Sequence, residues 1–320
     1  MRYIFLFFIL LKSLLFSFDY PNKSIEFVVG LGEGGSADRM TRNMAALLQK
    51  ELGVHINVKT IKTNGSLDAA NYVLKEPHDG YKVFCSTFSP YLLNLIISKK
   101  ADFSLNDFEI INLQWFEQDF IAVGKDSEFN SIVEILNYIK KNPKELKVAL
   151  INKSSGHILF KLLLEKFNIP FKDVDIKLYN GGGSARKALL ESKVDLLIIA
   201  AQGSEKYREY IKPLAIVSNK PSKRWDAPTL NDTIKDTGIT MPIIHGPIRG
   251  IAVSKKFKED FPHRFRILEN AIKKTLAKKS VHRYLKRKNI GYTWIGSQNS
   301  KKILQNSYED FKKFNYLIED

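Results

Sequence analysis

The sequence predicts an α/β protein of two lobes, each built from β-strands that alternate with α-helices. Two observations support this fold class. Short apolar runs are followed repeatedly by glycine-rich or hydroxyl-rich loops and then by apolar residues at helical spacing, which is typical of parallel βα units. The chain of 320 residues is longer than one ordinary domain, and the same order of elements occurs in each half.

Residues 1–18 are interpreted as a cleaved export signal. Arg2 provides a basic start, residues 3–11 are apolar but too few to span a bilayer comfortably, and Ser17 offers a small residue for cleavage. The mature chain is therefore predicted to be exported. Cys85 is the only cysteine, which excludes an intramolecular disulfide. A mature chain of about 300 residues can bury a core without one.

The chain is basic, with a formal net charge of +16. Many of its lysines, such as those in residues 255–288, interleave with apolar residues at helical spacing, which indicates solvated helix faces. The alternative is a positive field that attracts small anions or anionic surfaces. An exported chain without a recognisable reading motif gives no support for a nucleic-acid partner.

In the first half, three apolar runs end in polar loops. The run that starts at Ile25 leads into the glycine loop 30–38 and a helix that begins near Ser36 or Asp38. Later runs at 54–60 and 81–85 lead into loops 63–68 and 86–89. Because parallel strands place their carboxyl ends at one edge of a sheet, a site is expected at these loops. Free N–H groups at a helix N-terminus make loop 30–38 a suitable anion site.

The same loop contains the pattern Gly-x-Gly-x-x-Gly at Gly30, Gly32 and Gly35. A dinucleotide site also needs an acidic residue near the end of the next strand. That strand ends in Lys59 and Thr60, so nucleotide binding is not favoured.

The second half repeats this order of elements. The chain is predicted to cross near residues 117–119, and strands at 148–151, 176–179 and 194–201 are followed by polar loops at 152–157, 180–184 and 202–204. It is predicted to return near residues 245–247 and to end in helices at 263–276, 281–288 and 300–316. The predicted lobes are residues 19–121 with about 246–320, and residues 122–245.

With these loops placed, the chain resembles the receptor component of tripartite tricarboxylate transporters, the Bug-type periplasmic solute receptors. The motifs that carry the resemblance occur in family order: Tyr-Pro-Asn-Lys-Ser-Ile at 20–25, Gly-Gly-Ser-Ala-Asp at 34–38, Pro-His-Asp-Gly-Tyr at 77–81, Ser-Ser-Gly-His at 154–157, Tyr-Asn-Gly-Gly at 179–182, the Arg-to-Thr loop at 224–229 and Arg-Gly-Ile at 249–251. The resemblance implies a type II-like periplasmic binding protein whose lobes close on a small carboxylate. It also implies membrane transporter subunits as partners, and neutral hydrogen bonds rather than arginine forks as ligand contacts.

The predicted ligand-binding residues are the glycines, hydroxyl side chains and neighbouring polar groups of these loops. They are Gly32, Gly34, Gly35, Ser36, Asp38, Ser86, Thr87, Ser154, Ser155, His157, Tyr179, Gly181, Gly182 and Gly183. Of these, Asp38 and His157 are expected mainly to brace their loops. Glu33 and Asp68 depart from the family pattern by adding acids, so a ligand with an amino or amide group stays open.

A competing hypothesis is an exported hydrolase that uses Ser154 or Ser155 with His157. Neighbours on one helix turn cannot supply nucleophile, base and orienting group, and no Gly-x-Ser-x-Gly elbow is present, so no enzyme is predicted. No second His or Cys lies at ligand spacing, so neither a metal nor a cofactor is expected. A third hypothesis is a receptor for a membrane signalling partner, which the sequence does not separate from transport. A monomer is expected.

Overall fold

The computed structural model describes residues 20–30, 32–61, 63 and 66–318. The predicted export signal, 1–18, lies outside the described residues. The described strands are β1 (Ile25–Gly30), β2 (Ile56–Ile61), β3 (Lys82–Ser89), β4 (Phe108–Phe116), β5 (Asp119–Gly124), β6 (Lys147–Ile151), β7 (Asp175–Tyr179), β8 (Leu196–Ala200), β9 (Ile211–Ile216) and β10 (Ile248–Ser254).

The described α-helices are α1 (Ser36–Leu52), α2 (Ser66–Lys75), α3 (Tyr91–Ile97), α4 (Ile132–Lys141), α5 (Ser155–Lys166), α6 (Gly182–Leu190), α7 (Leu230–Ile234), α8 (Lys255–Asp260), α9 (Pro262–Ala277), α10 (Lys279–Arg287) and α11 (Gly296–Phe314). Strands and helices alternate through most of the chain, which confirms the predicted α/β class. Within the described residues, no helix combines the length and the apolar character needed to cross a membrane.

The strands form two five-stranded sheets. The first has the order β2-β1-β3-β10-β4, and β1 pairs in parallel with both β2 and β3. The second has the order β7-β6-β8-β5-β9, in which β6 is parallel to β7 and β8 while β5 is antiparallel to β8 and β9. The parallel pairing of β1, β2 and β3 follows the sequence prediction. The antiparallel β5 was not predicted, because a short run buried on both faces has the same apolar pattern in either direction.

By packing, the chain divides into two compact units. The first contains the described residues up to Ser86 with Phe103–Gln114 and Gly250–Lys301, and the second contains Thr87–Asp102, Trp115–Arg249 and the described residues from Lys302 onward. The predicted lobes differ from these units most at residues 87–102 and 302–320, which the prediction assigned to the first lobe. In the second unit, the Asn94 Nδ2 donates to the Lys153 carbonyl at 2.5 Å, and the Tyr316 hydroxyl donates to Glu165 Oε2 at 2.9 Å. Helical periodicity shows that a face is buried but not which unit buries it.

The core of the first unit is built on β1 and α1. Phe27 and Val29 on β1 and Met40, Met44 and Leu48 on α1 have no exposed surface. The three helical residues recur at spacings of four, so they lie on one face, and burying each such side chain contributes about 1.5–3 kcal/mol. The pattern that predicted the first βα unit is therefore also the pattern that packs it.

One predicted loop is a strand instead. Residues 86–89 were expected to form a hydroxyl-bearing loop, but β3 extends from Lys82 to Ser89 and buries Ser86, Thr87 and Ser89. The Ser86 and Ser66 hydroxyls form a hydrogen bond of 2.8 Å. A buried hydroxyl is tolerated where it has such a partner, so Ser86 stays within the strand.

Candidate functional site

In the first unit, the glycine turn after β1 leads directly into α1. Gly32, Gly34 and Gly35 are exposed, Ser36 is half-buried, and Gly34 has a φ of +74°, which favours glycine. Gly35 caps the helix without any side-chain cap bond. The first N–H groups of a helix have no partners within it. The Gly34 N–H donates to Asp38 Oδ2 and the Gly35 N–H donates to the Gly32 carbonyl at 3.1 Å, so the backbone donors that this turn presents are those of the first residues of the 17-residue helix.

Asp38 holds this turn in place. Its carboxylate accepts from the Gly34 N–H at 2.9 Å and from the Arg42 Nε at 3.0 Å, and the Thr60 hydroxyl donates to it at 3.4 Å. Asp38 is buried and its charge is neutralised by Arg42. This placement fits the bracing role expected for Asp38. Glu33, the added acid, is exposed.

In the second unit, the start of α5 is held by the side chains that precede and follow it. The Ser154 hydroxyl caps the helix by accepting from the His157 N–H at 3.2 Å, and His157 Nδ1 accepts from the Lys153 N–H at 3.2 Å. His157 is buried, and these bonds brace the turn. Ser155 is 1% exposed, and its hydroxyl has no hydrogen-bond partner among the described residues.

The second glycine turn of this unit lies between β7 and α6. Tyr179 ends β7 and packs against the apolar core, and Gly181 caps α6 without a side-chain bond. The Gly181 carbonyl accepts from the Ser184 hydroxyl at 2.9 Å. Gly182 is half-buried and Gly183 is exposed. As at α1, a helix begins behind a glycine turn that supplies backbone donors and no capping side chain.

Arg186 lies beside this turn and was not identified from the sequence. Its Nε donates to the Ser204 hydroxyl at 2.6 Å, and its Nη2 donates to the carbonyls of Ala200 at 2.8 Å and Gln202 at 2.6 Å. Burial lowers the pKa of the guanidinium. A Cβ on Gly182 would lie 2.6 Å from Arg186 Nη1, so the glycine gives the arginine its space. An arginine in a helix is ordinarily exposed, so no local sequence pattern indicated its burial.

A second buried charged group was also missed. Arg249 Nη2 pairs with Glu117 Oε2 at 2.8 Å, and the guanidinium lies 4.5 Å from the centre of the Trp115 ring.

The Asp119 carboxyl lies close to this pair, and burial raises its pKa to about 7. The nearby Ser155 hydroxyl lowers this pKa, whereas the Glu117 charge raises it. Ser155 lies close enough to influence Asp119, yet the Ser155 Oγ and Asp119 Oδ2 do not reach hydrogen-bond geometry. The only sequence signal was that residues 117–119 interrupt two apolar runs.

The predicted residues therefore gather in separate places. In the first unit these are Gly32, Gly34, Gly35, Ser36 and Asp38 at α1, with Ser86 buried on β3; in the second they are Ser154, Ser155 and His157 at α5 and Tyr179, Gly181, Gly182 and Gly183 at α6, with Thr87 buried on β3. Among the described side chains, no three of His, Cys, Asp and Glu are grouped so as to hold a metal ion. The exposed turns supply hydrogen-bond donors, which suits the binding of an anion.

Comparisons with known proteins agree with this architecture. The family model described as the tripartite tricarboxylate transporter family receptor matches residues 40–320. A UPF0065 protein of Bordetella pertussis is 22% identical over 204 residues, which are 62% of this chain and 62% of that protein. Matches to the curated relatives span between 51% and 66% of their own lengths.

Three solved structures share the fold. A TctC solute binding protein from Polaromonas, without ligand, has a TM-score of 0.74 and 22% identity and covers 93% of this chain and 99% of its own. Rpa4515 of R. palustris, solved with adipate, has a TM-score of 0.72 and 19% identity, and the match covers 94% of this chain and 98% of Rpa4515. MatC of Rhodopseudomonas palustris, solved with bound malate, has a TM-score of 0.70 and 18% identity, and the match covers 94% of this chain and 100% of MatC. The likeness confirms the two-lobed binding-protein fold predicted from the motifs. Because the family model matches most of its length, the chain belongs to the tripartite tricarboxylate transporter receptor family.

Proposed function

We propose that the mature chain is a periplasmic receptor that binds a small carboxylate and delivers it to membrane transporter subunits. The observation that carries the proposal is the same in both units. A glycine turn precedes a helix, at Gly35 and at Gly181, and neither helix has a side-chain cap bond. A carboxylate would accept from the N–H groups that a capping side chain would otherwise use.

Family membership gives this chemistry its biological setting. Receptors of this family serve transport, so the bound solute would pass unchanged to a membrane partner. In the related structures, Rpa4515 holds adipate and MatC holds malate, which are both dicarboxylates. A dicarboxylate is the kind of anion that several separate donor turns could hold. The predicted residues of both units are proposed to make these contacts.

The buried charges support binding without bond cleavage. Ser154 and His157 use their polar atoms to hold the start of α5, so they are not arranged as nucleophile and base. Asp38 is likewise committed to its turn through Gly34 and Arg42. The backbone donors of the turns can hold an anion but cannot attack a carbonyl, which favours binding over bond cleavage.

Thermal unfolding and calorimetry with residues 19–320 test the proposal. The protein is unfolded and refolded to remove solute that co-purifies, then screened against malate, adipate, succinate and citrate, with the matching uncharged diamides as controls. A carboxylate present at 100 times its Kd stabilises the native state by about 2.7 kcal/mol and raises the melting temperature. If no carboxylate raises the melting temperature or gives a heat of binding, the proposal is wrong.

A further inference from the structure

The first unit carries a long stretch of one charge sign. Residues 270–308 contain ten lysines and arginines and no aspartate or glutamate, and residues 270–301 belong to this unit. The surface of a soluble protein ordinarily mixes both signs along a helix. A stretch of one sign therefore indicates an anionic partner more than it indicates ordinary solvation.

One helix of this stretch, α10, presents its charge on a single side. Val281 and Leu285, which are 6% and 0% exposed, form its buried side. The exposed basic residues, at spacings of four, seven and eight from the first, are Lys279, Arg283, Lys286 and Arg287. With about 3.6 residues per turn, these spacings place the four side chains in one stripe opposite Leu285. This stripe is called the basic face below.

The charges of the basic face are not neutralised by ion pairs within the described part of the chain, where no salt bridge involves any of its four members. On α8, by comparison, Lys255 pairs with Glu259 at 3.4 Å and Lys256 pairs with Asp260 at 2.7 Å. Such pairs at a spacing of four are the ordinary arrangement of a solvated, lysine-rich helix. Unpaired charges of one sign instead add up to a positive potential, which extends about 8–10 Å from the surface at ordinary ionic strength.

α10 is fixed against α1, the helix that follows the first glycine turn. The Tyr284 hydroxyl donates to Asn43 Oδ1 at 2.7 Å, and Arg39 Nη1 donates to the Lys288 carbonyl at 3.3 Å. Arg39 belongs to the first turn of α1, which begins at Ser36, so α10 ends beside that turn. A surface that attracts the basic face would therefore lie near the candidate anion site of this unit.

The composition of the basic face favours a lipid surface over a protein partner. Protein interfaces depend on an apolar or aromatic centre that is buried on binding. The buried residues of α10, Val281 and Leu285, are already used within the unit, and the face offers only long cationic side chains. Attachment to anionic phospholipid needs no more than this, because each lysine or arginine near such a surface strengthens binding about fivefold.

We propose that the basic face on α10 holds the exported receptor at the anionic phospholipid surface of the membrane in which its transporter subunits lie. The receptor then reaches its membrane partner by moving along a surface instead of through solution. This attachment needs no solute, so it goes beyond the proposed binding of a carboxylate.

Vesicle binding by the mature chain, residues 19–320, tests the proposal. Flotation compares vesicles of phosphatidylcholine alone with vesicles that also contain about 30 mol% phosphatidylglycerol. We expect binding to the anionic vesicles only, and loss of that binding in about 0.5 M salt, where the Debye length falls to about 4 Å. The triple variant Arg283→Gln, Lys286→Gln and Arg287→Gln keeps residues of high helix propensity and should bind about 30- to 100-fold more weakly than the parent.

A second triple variant controls for net charge. Lys140→Gln, Lys141→Gln and Lys166→Gln remove the same charge from exposed helix positions of the second unit. Because these lysines do not belong to the basic face, vesicle binding by this variant should stay within about threefold of the parent's. Both variants change exposed side chains only, so their melting temperatures should stay close to that of the parent.

Equal binding to the two vesicle types, binding to neither, or equal losses in the two triple variants would overturn the proposal. Binding to poly-L-glutamate without binding to anionic vesicles would overturn the assignment to lipid and would identify an acidic protein as the partner of the basic face. These assays contain no solute, so such results would leave the receptor function intact. Failure of every carboxylate to bind would instead overturn the receptor function and not the attachment.

Discussion

Replacing Ser36 with aspartate tests the proposed anion site at α1 and is expected to preserve the fold. Ser36 is the first residue of this helix, and a negative charge there favours the helix by about 0.3–1 kcal/mol. Any loss of binding can therefore be separated from unfolding. Gly35→Asp is a less clean choice, since a Cβ at Gly35 would lie 2.9 Å from the Gly32 carbonyl oxygen.

The expected penalty follows from the exposure of the turn. Two negative charges about 4 Å apart repel by about 1 kcal/mol in water and about 4 kcal/mol at the effective dielectric of a protein surface. Gly32 to Gly35 are exposed, so the lower part of this interval applies. We expect a loss of about 1–3 kcal/mol, which is about a five- to 150-fold rise in Kd.

Calorimetry with the best carboxylate from the screen measures this loss, and thermal unfolding measures the fold. The penalty should shrink between low salt and 1 M salt, because screening acts on exposed charges. Ser131→Asp is the control: Ser131 caps α4 by accepting from the Glu134 N–H, so an acid is tolerated there, and no binding role is assigned to it. An unchanged Kd for Ser36→Asp, with an unchanged or higher melting temperature, would refute the site at α1.

Three further predictions concern stability. Gly80→Ala should lower the free energy of unfolding by about 2–4 kcal/mol in urea, because φ is +90° and the new Cβ would lie 2.4 Å from Phe257 Cζ; Gly124→Ala, with open space, should lower it much less. Arg186→Met should cost at least about 2 kcal/mol by leaving buried acceptors unpaired, and an unchanged urea midpoint would contradict this. The pKa of Asp119 is raised from 3.8 to about 7 in the folded chain, so its contribution to stability is present below pH 4 and is lost as pH rises towards 7. The free energy of unfolding of Asp119→Asn, relative to that of the parent, should therefore rise by up to about 4 kcal/mol between pH 4 and pH 7.5. A difference between the two proteins that does not change with pH would contradict the raised pKa.

The parts of the fold that were predictable are those in which local pattern and packing agree. β1 and α1 were placed correctly because an apolar run, a glycine turn and apolar residues at helical spacing follow one another within a single βα unit. In the second unit, residues 152–157 and 180–184 were predicted to be loops, whereas α5 and α6 begin within them, at Ser155 and Gly182. The prediction started each helix at its first apolar residue, whereas serine and glycine can occupy the first turn.

The parts that could not be predicted depend on partners distant in sequence. Ser86 remains in a strand because the Ser66 hydroxyl, 20 residues away, satisfies it. Arg186 is buried because carbonyls 14 and 16 residues later accept hydrogen bonds from its guanidinium. Arg249 pairs with a glutamate 132 positions earlier, since 249 − 117 = 132. Periodicity is a local property, so it cannot identify a charge that is neutralised by a distant strand.

The two units differ in whether the acid nearest the candidate residues has its partners within the chain. In the first unit, Asp38 is occupied by Gly34 and Arg42, so the turn at α1 offers only backbone donors and is not expected to distinguish one small carboxylate from another. In the second unit, Oδ2 of Asp119 has no partner among the described residues, and burial raises the pKa of this carboxyl. A charge added at Ser36 should therefore weaken all carboxylates in proportion, whereas a neutral group in place of Asp119 should act on the pH dependence of stability.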